Sequence, residues 1–321
     1  MKSKILLLLQ FIAFELIISN TYSCKKDNKK EDPIIKKEVL INWSNPSNID
    51  AGIALSNTQL NATANVSGTF VYTPTIGAIL NLGDSQNLKV DFIPTDAAHY
   101  NNATKTVTIN VTNTFTDSRD RNVYHKITIG TQVWMIENLR YLPSVVGPIV
   151  GSDAIPYYYV YGYSGTNVSE AKAQSNYTTY GVLYNWQAAM NGEASSDANP
   201  SGVQGVCPTG WHLPSNAEWS QLTSYLGGDS LAGGKLKEIG TVHWASPNND
   251  ATNESGFTGL PGGFRNNDGT FWLMASAGNW WSSKEYDTDI AWFRHLSFYN
   301  SNIMTYYGNK AGGYYVRCIK D

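Results

Sequence analysis

Two cysteines constrain this chain more than any other residues. Cys207 opens the stretch Cys207-Pro-Thr-Gly-Trp-His-Leu-Pro-Ser-Asn-Ala-Glu218, and Cys318 stands three residues from the end of the 321-residue sequence. A covalent link between them would tie the start of a roughly 110-residue segment to its finish, which in the loop-entropy account stabilises by about 4–5 kcal/mol. Such a staple suits a loop-rich domain outside the cytosol.

The N-terminus supplies a route there. Lys2 and Lys4 precede an apolar stretch from Ile5 to Ile18, and Thr21-Tyr22-Ser23 places a small residue before Cys24, which reads as an export signal. The stretch is short for a spanning helix, and no later apolar run is long enough to cross a bilayer. With its cysteine at the cut site, the segment resembles a bacterial lipoprotein signal. That resemblance implies removal of residues 1–23, diacylation of Cys24, and a chain anchored in the outer membrane and exposed at the cell surface. Plain secretion, with Cys24 discarded or left as a free thiol, is the other reading. Either one leaves an even number of cysteines in the remainder. Residues 24–38 begin with Lys25-Lys26-Asp27-Asn28-Lys29-Lys30-Glu31-Asp32-Pro33, a run of both charges with nothing apolar to bury, and read as a tether.

A net charge of −3 gives no basic footprint, so nucleic acid is not an expected partner. With 28 Gly, 20 Tyr and 10 Trp against 15% charged residues, the chain reads as extracellular, loop-rich and aromatic. The length beyond the signal fits two domains.

Residues 39–112 are written in period two. Phe70 and Tyr72, then Leu88, Val90 and Phe92, then Val107, Ile109 and Val111 alternate with polar residues, as half-buried antiparallel strands require. Turn residues at Ser67-Gly68 and Leu82-Gly83-Asp84 separate the runs, which predicts a small β-sandwich. The words Ile41-Asn-Trp43, Gly68-Thr-Phe70-Val-Tyr-Thr-Pro74 and Phe92-Ile-Pro-Thr-Asp96 resemble an immunoglobulin-like repeat of bacterial surface proteins, which implies a stalk.

Thr112 to Thr116 is polar and aperiodic and reads as a boundary. Beyond it, Val182, Trp186 and Ala189 predict a short helix ending at Asn191-Gly192. Ser215 and Glu218 form a capping-box signature for a second helix, with Trp219, Leu222 and Leu226 on one face and Gly227-Gly228 at its end. Several words then occur in order: Ile129-Gly-Thr-Gln-Val-Trp134-Met-Ile-Glu-Asn-Leu139, Tyr180-Gly-Val-Leu-Tyr-Asn-Trp186, Cys207-Pro-Thr-Gly-Trp211, Leu260-Pro-Gly-Gly-Phe-Arg265, Trp280-Trp-Ser-Ser283 and Val316-Arg-Cys-Ile-Lys320. Over residues 117–321 they resemble the Fibrobacter succinogenes major paralogous domain family, which looks related to the C-type-lectin-like fold. The resemblance implies a terminal Cys207–Cys318 disulfide, an inward Trp219, and an added N-terminal region over residues 117–191. The fold class expected is therefore mainly β with short helices (α+β), an immunoglobulin-like β-sandwich followed by a C-type-lectin-like domain.

A lectin-like fold does not by itself establish sugar binding. The Glu-Pro-Asn, Gln-Pro-Asp and Trp-Asn-Asp triplets of calcium-dependent lectins do not occur in the sequence. Asn253-Glu254-Ser255, Asn266-Asn267-Asp268 and Glu285-Asp287-Asp289 are hard-oxygen loops, but they read as turn-forming residues before they read as calcium ligands. No cofactor or metal is expected. Aromatic residues crowd the last third, and Trp272, Tyr306 and Tyr307, beside Gly- or Asn-containing turns, are the expected exposed rings. With Arg265, Arg294 and Asn300 they form the candidate ligand set for a glycan or a surface protein. His99, His125, His212, His243 and His295 show no HExxH spacing, and there is no nucleophile elbow or phosphate loop. The remaining catalytic readings are a hydrolase and an oxidase, the latter from a faint resemblance of Gly312-Gly-Tyr-Tyr-Val-Arg-Cys318 to the formylglycine-generating oxidases. The function expected is non-catalytic ligand capture or adhesion, with a purely structural envelope role as the alternative.

Overall fold

The computed structural model describes residues 34–321. The export signal, Cys24 and the tether up to residue 33 lie outside them.

In the first unit the period-two pattern becomes six strands, β1 (Ile41–Asn42), β2 (Ile49–Asp50), β3 (Thr63–Ala64), β4 (Gly68–Thr73), β5 (Gly83–Pro94) and β6 (Ala103–Thr112). Leu88, Val90 and Phe92 of β5 are fully buried, and Leu88 faces Val107 of β6 across an antiparallel ladder. Successive strand residues point to opposite faces, so one face of this pair is apolar and the other wet. The main sheet runs β2-β6-β5-β4, and β1 pairs separately with β3. Trp43, Leu55 and Leu60 close the core between them.

Only Asn113, within the expected boundary, separates β6 from β7 (Thr114–Thr116). Thr114-Phe115-Thr116 is itself a strand, paired to β8 (Val123–Ile129), with the Phe115 ring stacked 4.3 Å from Trp211. β9 (Gln132–Met135) follows. Next come β10 (Tyr158–Tyr159), α1 (Val168–Lys172), α2 (Ser175–Tyr180), β11 (Leu183–Tyr184), α3 (Trp186–Met190), β12 (Trp211–His212), α4 (Asn216–Tyr225) and α5 (Asp229–Leu236). The chain finishes with β13 (Gly262–Arg265), β14 (Phe271–Met274), β15 (Ala277–Glu285), β16 (Ile290–Ser297), β17 (Ile303–Asn309) and β18 (Ile319–Lys320). Two five-stranded sheets result, ordered β12-β18-β9-β8-β7 and β14-β13-β15-β16-β17. The protein is thus mainly β with a few short helices.

Residues 117–191 pack into this second unit. β9 lies beside β18, with Trp134 opposite Ile319, and the Trp134 ring sits 4.7 Å from that of Trp219 in α4. The helix expected through Val182 is also interrupted. Gly181, at φ 85°, ends α2, and a Cβ there would stand 2.9 Å from the Leu139 carbonyl, so only glycine fits. The chain then extends as β11 before α3 begins at Trp186 and stops at the left-handed Asn191.

Cys207 and Cys318 are bonded, both fully buried, 111 residues apart in sequence. The adjoining β12–α4 junction is held by charge. The Ser215 hydroxyl accepts from the Glu218 N–H, and the Glu218 carboxylate accepts from the Ser215 N–H, the reciprocal capping box. The other Glu218 oxygen meets His212 Nε2 at 2.7 Å, while His212 Nδ1 meets Asp321 at 2.7 Å. Burial alone would lower the His212 pKa, but its two carboxylate partners outweigh burial and raise it.

Two outcomes follow from these links. Replacing both Cys207 and Cys318 by Ser is expected to cost about 4–5 kcal/mol in denaturant-induced unfolding, the loop-entropy value for a closure of this length. A loss near zero would show that the sulfurs do not constrain the unfolded chain. His212, whose folded pKa is raised, contributes stability that is fully present below its ordinary 6.5 and lost as pH rises through the folded value. Thermal melts of the wild type should therefore fall toward those of His212→Asn as pH is raised from about 5 to about 9. Parallel curves for the two proteins would refute the bridge.

Candidate ligand-binding site

Strands β16 and β17 pair with Trp292 directly opposite Tyr307. Facing residues on an antiparallel pair project to the same side, so the two rings meet on one surface. Their centroids lie 5.7 Å apart, edge to face. Tyr286, just past the end of β15, completes the group at 5.1 Å from Trp292 and 4.9 Å from Tyr307. Tyr286 and Tyr307 are each more than half exposed, at 54% and 56%, so this is a surface terrace rather than core.

The turn carrying Tyr286 is fixed from beneath. The Asp287 side chain accepts from the N–H groups of Asp289 and Ile290, and the Tyr286 N–H donates to the Ile290 carbonyl. Buried Lys310, lying over the Trp186 ring, donates to the carbonyls of Asp287 and Thr288 and to the Glu285 carboxylate at 2.8 Å. The terrace is therefore held by a rigid support, which limits the ordering cost of binding.

Tyr306 points to the opposite face, 6.0 Å from Phe293 and 5.5 Å from His295. It ends a shallow cleft of about 420 Å³ along the edge of β17, with Asp229 and Ser230 at the start of α5 on the other side. Burial lowers the His295 pKa to about 4, and its Nδ1 stands 2.8 Å from Asn279 Oδ1. Near neutral pH this imidazole is uncharged.

The structure separates the residues that the sequence grouped. Tyr306 and Tyr307 are adjacent and exposed on β17. Trp272 is also exposed but sits on β14, at the far edge of the sheet, four strand spacings or about 19 Å away. Of the other expected residues, Arg265 and Arg294 are buried, with their guanidinium groups turned to the protein interior, and Asn300 is half-buried in a turn. Arg265 is buried over Tyr159 and donates to the carbonyls of Pro148, Val150 and Ala311. Arg294 is buried against Asn216 at the start of α4, and burial lowers its pKa to about 10. Asn300 shapes the β16–β17 turn, its side chain accepting from Asn302 N–H and its carbonyl from Lys237. Conversely, Tyr286 was missed because it lies beyond a strand end, and Trp292 because its outward phase shows only once its register with Tyr307 is known.

The hard-oxygen loops are occupied by their own backbone. Asn253 bonds Thr258, and Asp268 accepts from both the N–H and the hydroxyl of Thr270. Among the described residues no three His, Cys, Asp or Glu side chains converge as metal ligands. The terrace offers flat apolar faces with hydroxyl and indole tips, an arrangement for stacking. Because these rings contribute little to the core, Tyr286→Ala and Tyr307→Ala should each change unfolding free energy by less than about 1 kcal/mol, whereas Trp281→Ala, fully buried, should cost about 3–5. Equal losses at all three positions would contradict the distinction.

Residues 127–320, more than half of the chain, match the Fibrobacter succinogenes major domain. No curated protein and no solved structure matches the sequence. The matched segment runs from within β8 through β18 and contains Cys207, Cys318, every strand of the β14-β13-β15-β16-β17 sheet and the aromatic terrace, while β7 precedes it. The chain belongs to the Fibrobacter succinogenes major domain family.

Proposed function

We propose that this protein is a lipid-anchored component of the outer-membrane surface, whose lectin-like head, carried on an immunoglobulin-like stalk, captures glycans without transforming them. The observation that carries the reading is the terrace of Tyr286, Trp292 and Tyr307, two exposed tyrosine rings packed on a half-buried tryptophan at the surface of a disulfide-closed scaffold. Large aromatic groups exposed together mark binding surfaces, and a ring face complements the C–H face of a sugar.

The path of the chain supports the stalk. Lys37 bridges to Tyr100, just before β6, while the other end of β6 leads through Asn113 into the second unit. The polypeptide thus enters at one end of a ten-residue strand and leaves for the head at the other, about 33 Å away. A chain tethered through Cys24 would hold its head off the membrane by that distance.

Non-catalytic binding is favoured over the oxidase reading because Cys318, its required thiol, is buried in a disulfide. The purified chain applied to a glycan array should bind a subset of neutral glycans. Trp292→Ala and Tyr307→Ala should each weaken that binding by about tenfold, roughly 1.4 kcal/mol, while Trp272→Ala leaves it unchanged. Binding to proteins only would redirect the terrace to a protein partner. No binding to either class would favour a structural envelope role.

A further inference from the structure

A second concavity lies far from the terrace in sequence and shares no residue with it. Where the first unit meets the second, a cleft of about 510 Å³ opens between them, within the range of small-molecule sites. Its walls are aliphatic. Ile53 and Leu82 project from the first unit, at 54% and 58% exposure, and Ile127 and Val133 line the side formed by β8 and β9. Large aliphatic side chains left exposed around one hollow are the feature that calls for an occupant.

The charges are confined to one group. Asp50 accepts from Lys126 at 2.5 Å and from Lys320 at 3.2 Å, and the cleft has no other acidic or basic lining residue. Burial alone would raise the Asp50 pKa, but hydrogen bonds from the two lysines overcome this and hold it below the usual value. It is therefore a carboxylate at neutral pH. Two ammonium groups around one carboxylate leave one positive charge, and Lys320, 42% exposed along its side chain and bonded to Asp50 at the longer distance, is the one an incoming group can reach.

We infer that this junction cleft binds an amphipathic monoanion, an apolar chain or ring system bearing a single carboxylate or sulfonate. The aliphatic walls take the apolar body, and Lys320, with Lys126 behind it, takes the head. A free fatty-acid-like molecule and the acyl carboxylate of a degraded lipid share this chemistry. Dicarboxylates and neutral sugars lack one half of it.

The probe is 1-anilinonaphthalene-8-sulfonate, titrated into the full chain well below its melting temperature. Saturable fluorescence enhancement, reversed by dodecanoate and not by dodecyltrimethylammonium, is the expected result. Leu82→Asp, which sets a like charge in an exposed wall, should weaken dodecanoate by at least about tenfold. Lys320→Met should abolish the preference for dodecanoate over dodecanol while still binding the alcohol. Circular dichroism melts of both variants guard against a folding artefact; they are expected to stay close to wild type because Leu82 is exposed and the solvent-exposed Asp50–Lys320 pair contributes at most about 1 kcal/mol. Absence of saturable enhancement, or enhancement that both variants leave intact, would overturn the assignment. Displacement by dodecanoate and the cationic surfactant alike would overturn the anionic specificity. Because neither variant touches the terrace, glycan binding and anion binding fail independently.

Discussion

The second unit depends on one buried cation. Arg317, next to Cys318, is fully enclosed, and burial pulls its pKa down to about 9. Its guanidinium donates twice to Asn138 Oδ1 and once to the Phe257 carbonyl, and lies over the rings of Phe257 and Trp280. Asn138 Oδ1 also accepts from Trp280 Nε1 at 2.7 Å, while its amide donates to the Tyr180 carbonyl. One side-chain pair therefore joins the segment after β9, the end of α2, the loop before β13, strand β15 and the C-terminal segment. A charge so enclosed is costly unless its donors are satisfied, and here oxygens and π faces supply the compensation. Loss of either partner would strand the other in an apolar core, which is why the hub holds distant segments together more firmly than its net worth suggests.

The same device recurs wherever loops converge. Lys237 directs its ammonium at the carbonyls of Asn249, Ser297 and Asn300 at 2.8, 3.0 and 2.8 Å. Arg265 gathers the loops at 148–150 and 311, and Lys310 fixes the turn beneath Tyr286. Each places a fixed positive charge among backbone oxygens, the task a bound hard cation performs in other loop-rich folds. Hydrogen bonds from charged donors are worth about 1.5–3 kcal/mol each, so three per cation can order a loop that has little apolar surface of its own. The terrace profits from this arrangement. Its tyrosine rings can remain in solvent because the turn that carries Tyr286 is secured from within and not by burying the ring.

How far the sequence revealed this follows from the range of each interaction. The capping box at Ser215 and Glu218, the period-two strands β5 and β6, and the cysteine pair were legible because their signals are local or chemically unique. The helix expected across Val182 failed on a tertiary fact, the closeness of Gly181 to the Leu139 carbonyl. Arg265 and Arg294 looked like surface donors because charged residues are seldom fully buried. Nothing local announces that carbonyls 46 and 117 residues away in sequence will converge on one guanidinium. Phe115 was overlooked for a related reason. Three residues are too few to display a period, and its partner Trp211 lies far along the chain.

The connection between the units shows what such long-range terms do for the whole protein. A flexible stalk would need a linker of several small or polar residues. Here the link is Asn113 alone, and its carbonyl accepts from the Lys126 N–H at 2.6 Å. Asp50 adds a second fastening by bonding Lys126 of β8 and Lys320 of β18. The junction thus fixes β6 to β8 through the backbone and β2 to β18 through charge. In the proposed arrangement, a pull on the head is carried along β6 and shared with its neighbours β2 and β5, where many ladder bonds resist together. The aliphatic cleft beside Asp50 lies where these two fastenings bring the units together.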